Sequence, residues 1–106
     1  MTARAMTPAD AKTRLGAADF LLLDVREPSE LRLARIDGAL HIPFRAVAAR
    51  ASELDRTKEI AVICHHGGRS EMVAQFLVRS GFPRVANVDG GIDAWAATVD
   101  AKIPRY

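Results

Sequence analysis

The sequence holds one cysteine in 106 residues, no block of like charge, and no apolar run near the roughly 18 residues that a membrane-spanning helix needs. One cysteine excludes a disulfide within the chain, and it excludes a second internal thiol that could discharge the first. A thioredoxin-type dithiol is therefore ruled out. The short apolar runs imply no membrane partner, and the opening MTARAMTPAD lacks the apolar core of a secretory signal. A cytoplasmic location is the expectation. Fifteen basic and 13 acidic side chains leave a formal charge of +2, interspersed along the chain, and 12 of the basic residues are arginine. Without a concentrated basic face, no nucleic-acid partner is expected. Nor does any repeat, low-complexity tract or linker divide the chain. One domain over residues 1–106 follows, with its core at about 4–98 and a tail at 99–106.

What is present is an alternation of short apolar runs with amphipathic stretches. DFLLLDV (19–25), GALHI (38–42), EIAVIC (59–64) and RVANV (84–88) read as strands. FLLL and IAVI are apolar at consecutive positions, as strands buried on both faces are. Helices are expected between them. TPADAKTRLG offers Thr7 as an N-cap, Pro8 at the first helical position and a stop at Gly16. PSELRLA (28–34), FRAVAARASEL (44–54) and GIDAWAATV (91–99) follow the same pattern. SEMVAQFLVRSG places Met72, Val73, Phe76, Leu77 and Ser80 on one face and stops at Gly81. The alternation predicts an α/β fold with a mostly parallel sheet of about five strands and helices on both faces.

Ligands of such sheets gather beyond the carboxyl ends of the strands, and Cys64 lies at one of those ends. Between it and the next helix stands CHHGGRS. The N–H groups of His65, His66, Gly67, Gly68 and Arg69 have no ladder to join, and turned inward they would ring the sulfur. Glycines at 67 and 68 permit positive φ and put no Cβ in the way. Together with the helix start and the Arg69 cation, this setting favours a thiolate, the nucleophilic form, over a thiol. The same ring would hold an anion bonded to the sulfur, be it a persulfide, a sulfonate or a phosphate. A buried, inert cysteine is the plainer reading of a strand end, but the glycine pair and Arg69 argue against it. A zinc site at Cys64, His65 and His66 is disfavoured, because adjacent side chains rarely converge on one tetrahedral ion. No metal and no cofactor are expected.

CHHGGRS resembles the active-site loop of single-domain rhodaneses, the thiosulfate sulfurtransferase-like family, whose common form is C-x-x-G-x-R. LLLDVREPSE, IDGALHIP and VANVDGGIDAW resemble three further segments of that family, in its order and spacing, from Leu21 to Trp95. The resemblance implies a rhodanese-like fold. It implies Cys64 as the catalytic cysteine, His65 to Ser70 as the persulfide-holding loop, and Asp24 with Arg26 as supporting residues. The implied reaction is two-step transfer: Cys64 takes the outer sulfur of a small anionic donor such as thiosulfate, then passes it to cyanide or to a thiol acceptor. With one cysteine in the chain, that acceptor, small molecule or protein, is external. Arg35 and Asp37 depart from the family pattern, which often has histidine and proline there; both lie outside the loop, so the departure bears on the substrate entrance and leaves the cysteine chemistry untouched.

Two rivals stand beside this reading. A Cdc25-type phosphatase or arsenate reductase uses a related fold with five residues between cysteine and arginine, whereas four separate Cys64 from Arg69. The shorter ring suits one sulfur better than a tetrahedral phosphate. A binding or sulfur-relay module with weak catalysis is the other, although inactive domains of this kind typically lack the cysteine. Elsewhere, Trp95 is expected in the core and His41 as a satisfied structural group. Ser70 is expected as the helix N-cap, with hydrogen bonding to the loop as the second possibility, and His65 and His66 either face solvent or flank the mouth.

Overall fold

The computed structural model describes residues 3–106. Five strands, β1 (Arg4–Met6), β2 (Phe20–Asp24), β3 (Leu40–His41), β4 (Glu59–Ile63) and β5 (Val85–Val88), form one sheet in the order β1-β5-β4-β2-β3. Every neighbouring pair is parallel. The connections carry α1 (Pro8–Arg14), α2 (Pro28–Leu33), α3 (Val47–Arg50), α4 (Gly68–Arg79) and α5 (Gly91–Thr98). This is the α/β architecture that the alternating runs predict.

The continuous apolar run of β4 is buried at all five positions, because both faces of the sheet are covered. Successive side chains take opposite faces. Ile60, Val62 and Cys64 join a core with Val47, Val73 and Leu77, under α3 and α4. Ala61 and Ile63 join the other core with Ala11, Ile92 and Trp95, under α1 and α5. Burying an isoleucine stabilises by about 2 kcal/mol, so Ile60 and Ile63 pin β4 from both sides. The residue that follows β4 is thereby held in place, and that residue is Cys64.

Local expectations hold where a cap or a buried anchor backs them. Thr7 caps α1, its hydroxyl accepting from the Asp10 N–H at 3.1 Å. Trp95 is buried in the core, and His41 Nε2 lies 2.5 Å from the Arg26 carbonyl oxygen as a structural polar group. Others need correction. The strand expected at 38–42 contracts to Leu40–His41, and β1 has no counterpart among the four runs read as strands. β1 is three residues long with one buried side chain, too short to show a period. The single helix expected at 44–54 is instead 3-10 turn, α3 and 3-10 turn in succession. Only Val47 of that segment's helical positions is buried, and no side chain caps it, so little enforces continuous α geometry. On α4, Met72 faces outward rather than into the core, and Val73, Ala74 and Leu77 form the buried stripe. Residues 99–106, expected as a tail, turn back so that Val99, Ile103 and Tyr106 lie against the α1 and α5 core. No helix among the described residues is long and apolar enough to cross a membrane.

Candidate active site

The carboxyl ends of β2, β4 and β5 bring Asp24, Cys64 and Asn87 to one edge of the sheet, where α4 and α5 both begin. The loop after Cys64 is held by its carbonyls. Cys64 O accepts from the Ile92 N–H at 2.8 Å, and His65 O accepts from the Asp93 N–H at 3.1 Å. Thus the first turn of α5, whose N–H groups have no intrahelical acceptors, fastens the loop from behind. The approach is close enough to require glycine. A Cβ on Gly91 would fall 2.4 Å from both carbonyl oxygens, and its φ is +62°.

Cys64 is 1% exposed, and Gly67 N–H donates to its Sγ at 3.1 Å. Gly67 is itself the N-cap of α4 with φ +112°, so the turn that aims this amide needs a residue free of Cβ strain. Gly68 does not share that conformation, and of the loop amides expected around the sulfur only that of Gly67 bonds to it. The N–H groups of Gly68, Arg69 and Ser70 precede the first intrahelical bond, from Glu71 to Gly67, and stay available to an incoming anion. Ser70 is not the N-cap. Being two residues inside the helix, it is fully buried, with Oγ 3.3 Å from Sγ, 3.1 Å from Gly67 O and 2.5 Å from Asn87 Oδ1. Asn87 Nδ2 donates to Glu71 Oε2 at 2.9 Å and to Gly67 O at 3.3 Å, which turns Oδ1 toward the serine hydroxyl.

The arginines beside this loop are paired with carboxylates. Arg26 is fully buried and gives Asp24 its backbone N–H, Nε and Nη2, the last at 2.7 Å. Its Nη1 donates to the Tyr106 hydroxyl at 2.9 Å and to Glu30 O at 3.3 Å. Burial opposes the Arg26 charge, yet the hydrogen bonds to Asp24 and Tyr106 outweigh it and bind the proton more tightly than usual. Burial likewise pushes the Tyr106 phenol above its ordinary range, the nearby Arg26 only partly offsetting it. Arg69 reaches Glu30 through both terminal nitrogens at 2.9 Å, a bidentate pair. Burial works to raise the Glu30 carboxyl, but Arg69 and the Glu27 amide prevail and hold it below the ordinary carboxylate range. The His65 ring stacks on Tyr106 at 3.9 Å, with Nε2 2.7 Å from the Tyr106 main-chain oxygen. His66 is exposed, stacked on His65, with Nδ1 3.9 Å from Asp93.

The sequence pattern of the Rhodanese-like domain matches residues 7–98. The chain belongs to the rhodanese-like family. Thiosulfate sulfurtransferase GlpE of Pseudomonas syringae is 33% identical over 98 residues, covering 92% of each protein. YrkF of Bacillus subtilis, named as a sulfur carrier protein, is 44% identical over 79 residues, 74% of this chain. The match spans only 43% of YrkF's own length. Among solved structures, a rhodanese-related protein from Thermoplasma volcanium superposes with a TM-score of 0.83 at 34% identity, covering 91% of this chain and 93% of that one.

In this rhodanese-like domain four residues of the neighbourhood escaped the reading of the sequence: Glu30, Asn87, Gly91 and Tyr106. Gly91 carried a signal in the doubled glycine of VDGGID, placed where a strand gives way to a helix. Asn87 had a weaker one, as a polar residue inside the apolar run VANV. Nothing in the sequence brings Glu30 to Arg69, or Tyr106 to Arg26, across 39 and 80 residues. The departures at Arg35 and Asp37 form an exposed pair 3.9 Å apart, in the connection between α2 and β3.

Proposed function

We propose that this rhodanese-like domain is a sulfurtransferase that carries a sulfane sulfur on Cys64 from an anionic donor to an external thiol. The observation that carries the reading is the setting of Sγ: 3.1 Å from the Gly67 amide at the start of α4, with the Ser70 hydroxyl at 3.3 Å. A fixed N–H donor aimed at a sulfur from a helix start favours its anionic forms, the attacking thiolate and the persulfide alike, while the Ser70 hydroxyl, donating to Asn87 Oδ1 at 2.5 Å, packs against that sulfur. With thiosulfate, the Cys64 thiolate attacks the outer sulfur. A new S–S bond forms, the old one breaks, and sulfite leaves with the bonding pair. A thiolate acceptor, or cyanide in the test tube, then attacks the terminal sulfur, and Cys64 departs as thiolate. The transferred atom changes partners without a net oxidant, and His65 to Ser70 supply the wall of the site. Asp24 and Arg26 support it from beneath, acting on the reaction only through the loop.

The names of GlpE and YrkF, a thiosulfate sulfurtransferase and a sulfur carrier, support sulfur transfer as the class. Protein is incubated with thiosulfate, freed of excess, and weighed intact with and without reductant. Wild type is expected to gain the mass of one sulfur atom, lost on reduction, and Cys64→Ser to gain none. If wild type gains no labile sulfur, or Cys64→Ser gains as much, the reading is wrong.

A further inference from the structure

The loop arginine does not stand free to meet an anion. Both terminal nitrogens of Arg69 are engaged by the Glu30 carboxylate at 2.9 Å, and the side chains are 31% and 19% exposed. Glu30 is anchored in turn, because Glu27 N–H donates to its Oε2 at 2.9 Å in the capping box that starts α2. Neighbouring arginines are matched as well, Arg26 to Asp24 and Arg105 to Asp93. The Arg69–Glu30 pair therefore sums to zero charge beside the loop that carries Cys64. What still attracts an anion is the start of α4, equivalent to about half a positive charge. That suits one negative charge on sulfur better than two spread over an oxyanion.

We propose that Glu30 is a specificity-determining residue: by neutralising Arg69 it restrains use of the doubly charged thiosulfate and favours singly charged organic persulfides as sulfur donors. The proposal rests on the sulfur-transfer reading above. A singly charged persulfide R–S–S⁻ takes up a proton from water, and the Cys64 thiolate attacks the outer sulfur of the resulting R–S–SH and forms Cys64–S–SH. The inner S–S bond breaks, RS⁻ leaves with its electron pair, and the proton stays on the transferred sulfur. Atoms and electrons balance with no co-reactant but water.

Four proteins test it: wild type, Glu30→Gln, Arg69→Gln and the double variant. Glutamine at 30 keeps an oxygen for Glu27 N–H and for Arg69 while removing the charge. Sulfur loading of Cys64 is timed by intact mass, once with thiosulfate and once with a small persulfide whose organic part is neutral. The measured quantity is the ratio of the two efficiencies within each protein, so a loss of folded material cancels. Glu30→Gln should raise the thiosulfate-to-persulfide ratio about fivefold to tenfold, through KM, and Arg69→Gln should lower it by a similar factor. The double variant, with the pair's charge again at zero, should return the ratio to within about twofold of wild type. A ratio unmoved by Glu30→Gln, or both single variants and the double shifting the same way, overturns the role of Glu30 and leaves the sulfur-transfer reading intact. If neither donor loads wild-type Cys64, the sulfur-transfer reading falls and this inference with it.

Discussion

At the amino ends of the strands, Arg4 and Arg14 meet the buried carboxylate of Glu59, and Arg14 and Arg84 meet the exposed Asp19, with guanidinium side chains 60%, 36% and 46% exposed. At the carboxyl ends, Arg26 and Asp24 pair at 0% and 2% exposure, and Arg69 meets Glu30 under partial cover. Both ends use the same chemistry, yet water decides its weight. Exposed pairs exchange solvation for one another at little net gain. A buried pair cannot fall back on water, so it stays formed and fixes geometry. Here the buried pair stands at the end of β2, beside the end of β4 that leads into Cys64, while the pairs with exposed arginines lie at the opposite end of the sheet.

The sharpest way to break this contrast is Asp24→Asn. It leaves the Arg26 charge buried with three donors short of an anion, and a loss of about 3 to 5 kcal/mol is expected in urea unfolding. A loss under about 1 kcal/mol would place Asp24 with the surface pairs. Next comes Gly91→Ala, which sets a methyl 2.4 Å from the carbonyls of Cys64 and His65 at positive φ. It should cost about 2 kcal/mol and slow sulfur loading of Cys64 at least tenfold, since the loop must shift. Unchanged loading would show that α5 does not position the loop. The smallest effect belongs to the opposite end. Arg14's hydrogen bond holds the Asp19 carboxyl below its ordinary value, so Asp19 stabilises above the ordinary aspartate range and loses that contribution as pH falls through its lowered one. Asp19→Asn should therefore shift Tm by no more than about 2 °C at neutral pH, less in acid, with loading unchanged.

Much of the fold was legible because periodicity and caps are local. IAVI announces a strand covered on both faces, and Thr7 followed by Pro8 announces a helix start. β1 was not legible, since three residues show no period and its place at the sheet edge comes from pairing with β5. The site was legible as a position: a cysteine after a buried strand, then two glycines and a helix. Its inner wiring was not. Ser70 has the residue type of a cap, but Gly67 takes that role by adopting a φ that serine avoids, and the hydroxyl is left to face Sγ and Asn87. Arg69 has the charge expected of an anion binder, and Glu30 cancels it.

By itself the sequence determined most of the strands and helices, that these 106 residues hold a single thiol, and that this thiol stands at a strand end before a helix. Those properties depend on composition and on neighbours a few residues apart. Only the tertiary structure decided what surrounds the sulfur. Gly91 lies against the loop, Asn87 against Ser70, Glu30 against Arg69 and Tyr106 against Arg26, because parallel pairing carries the ends of β2, β4 and β5 to one edge. Parallel strands need long crossovers, so residues far apart in the chain become neighbours there, and charge and hydrogen bonding are settled by contacts that no local pattern contains.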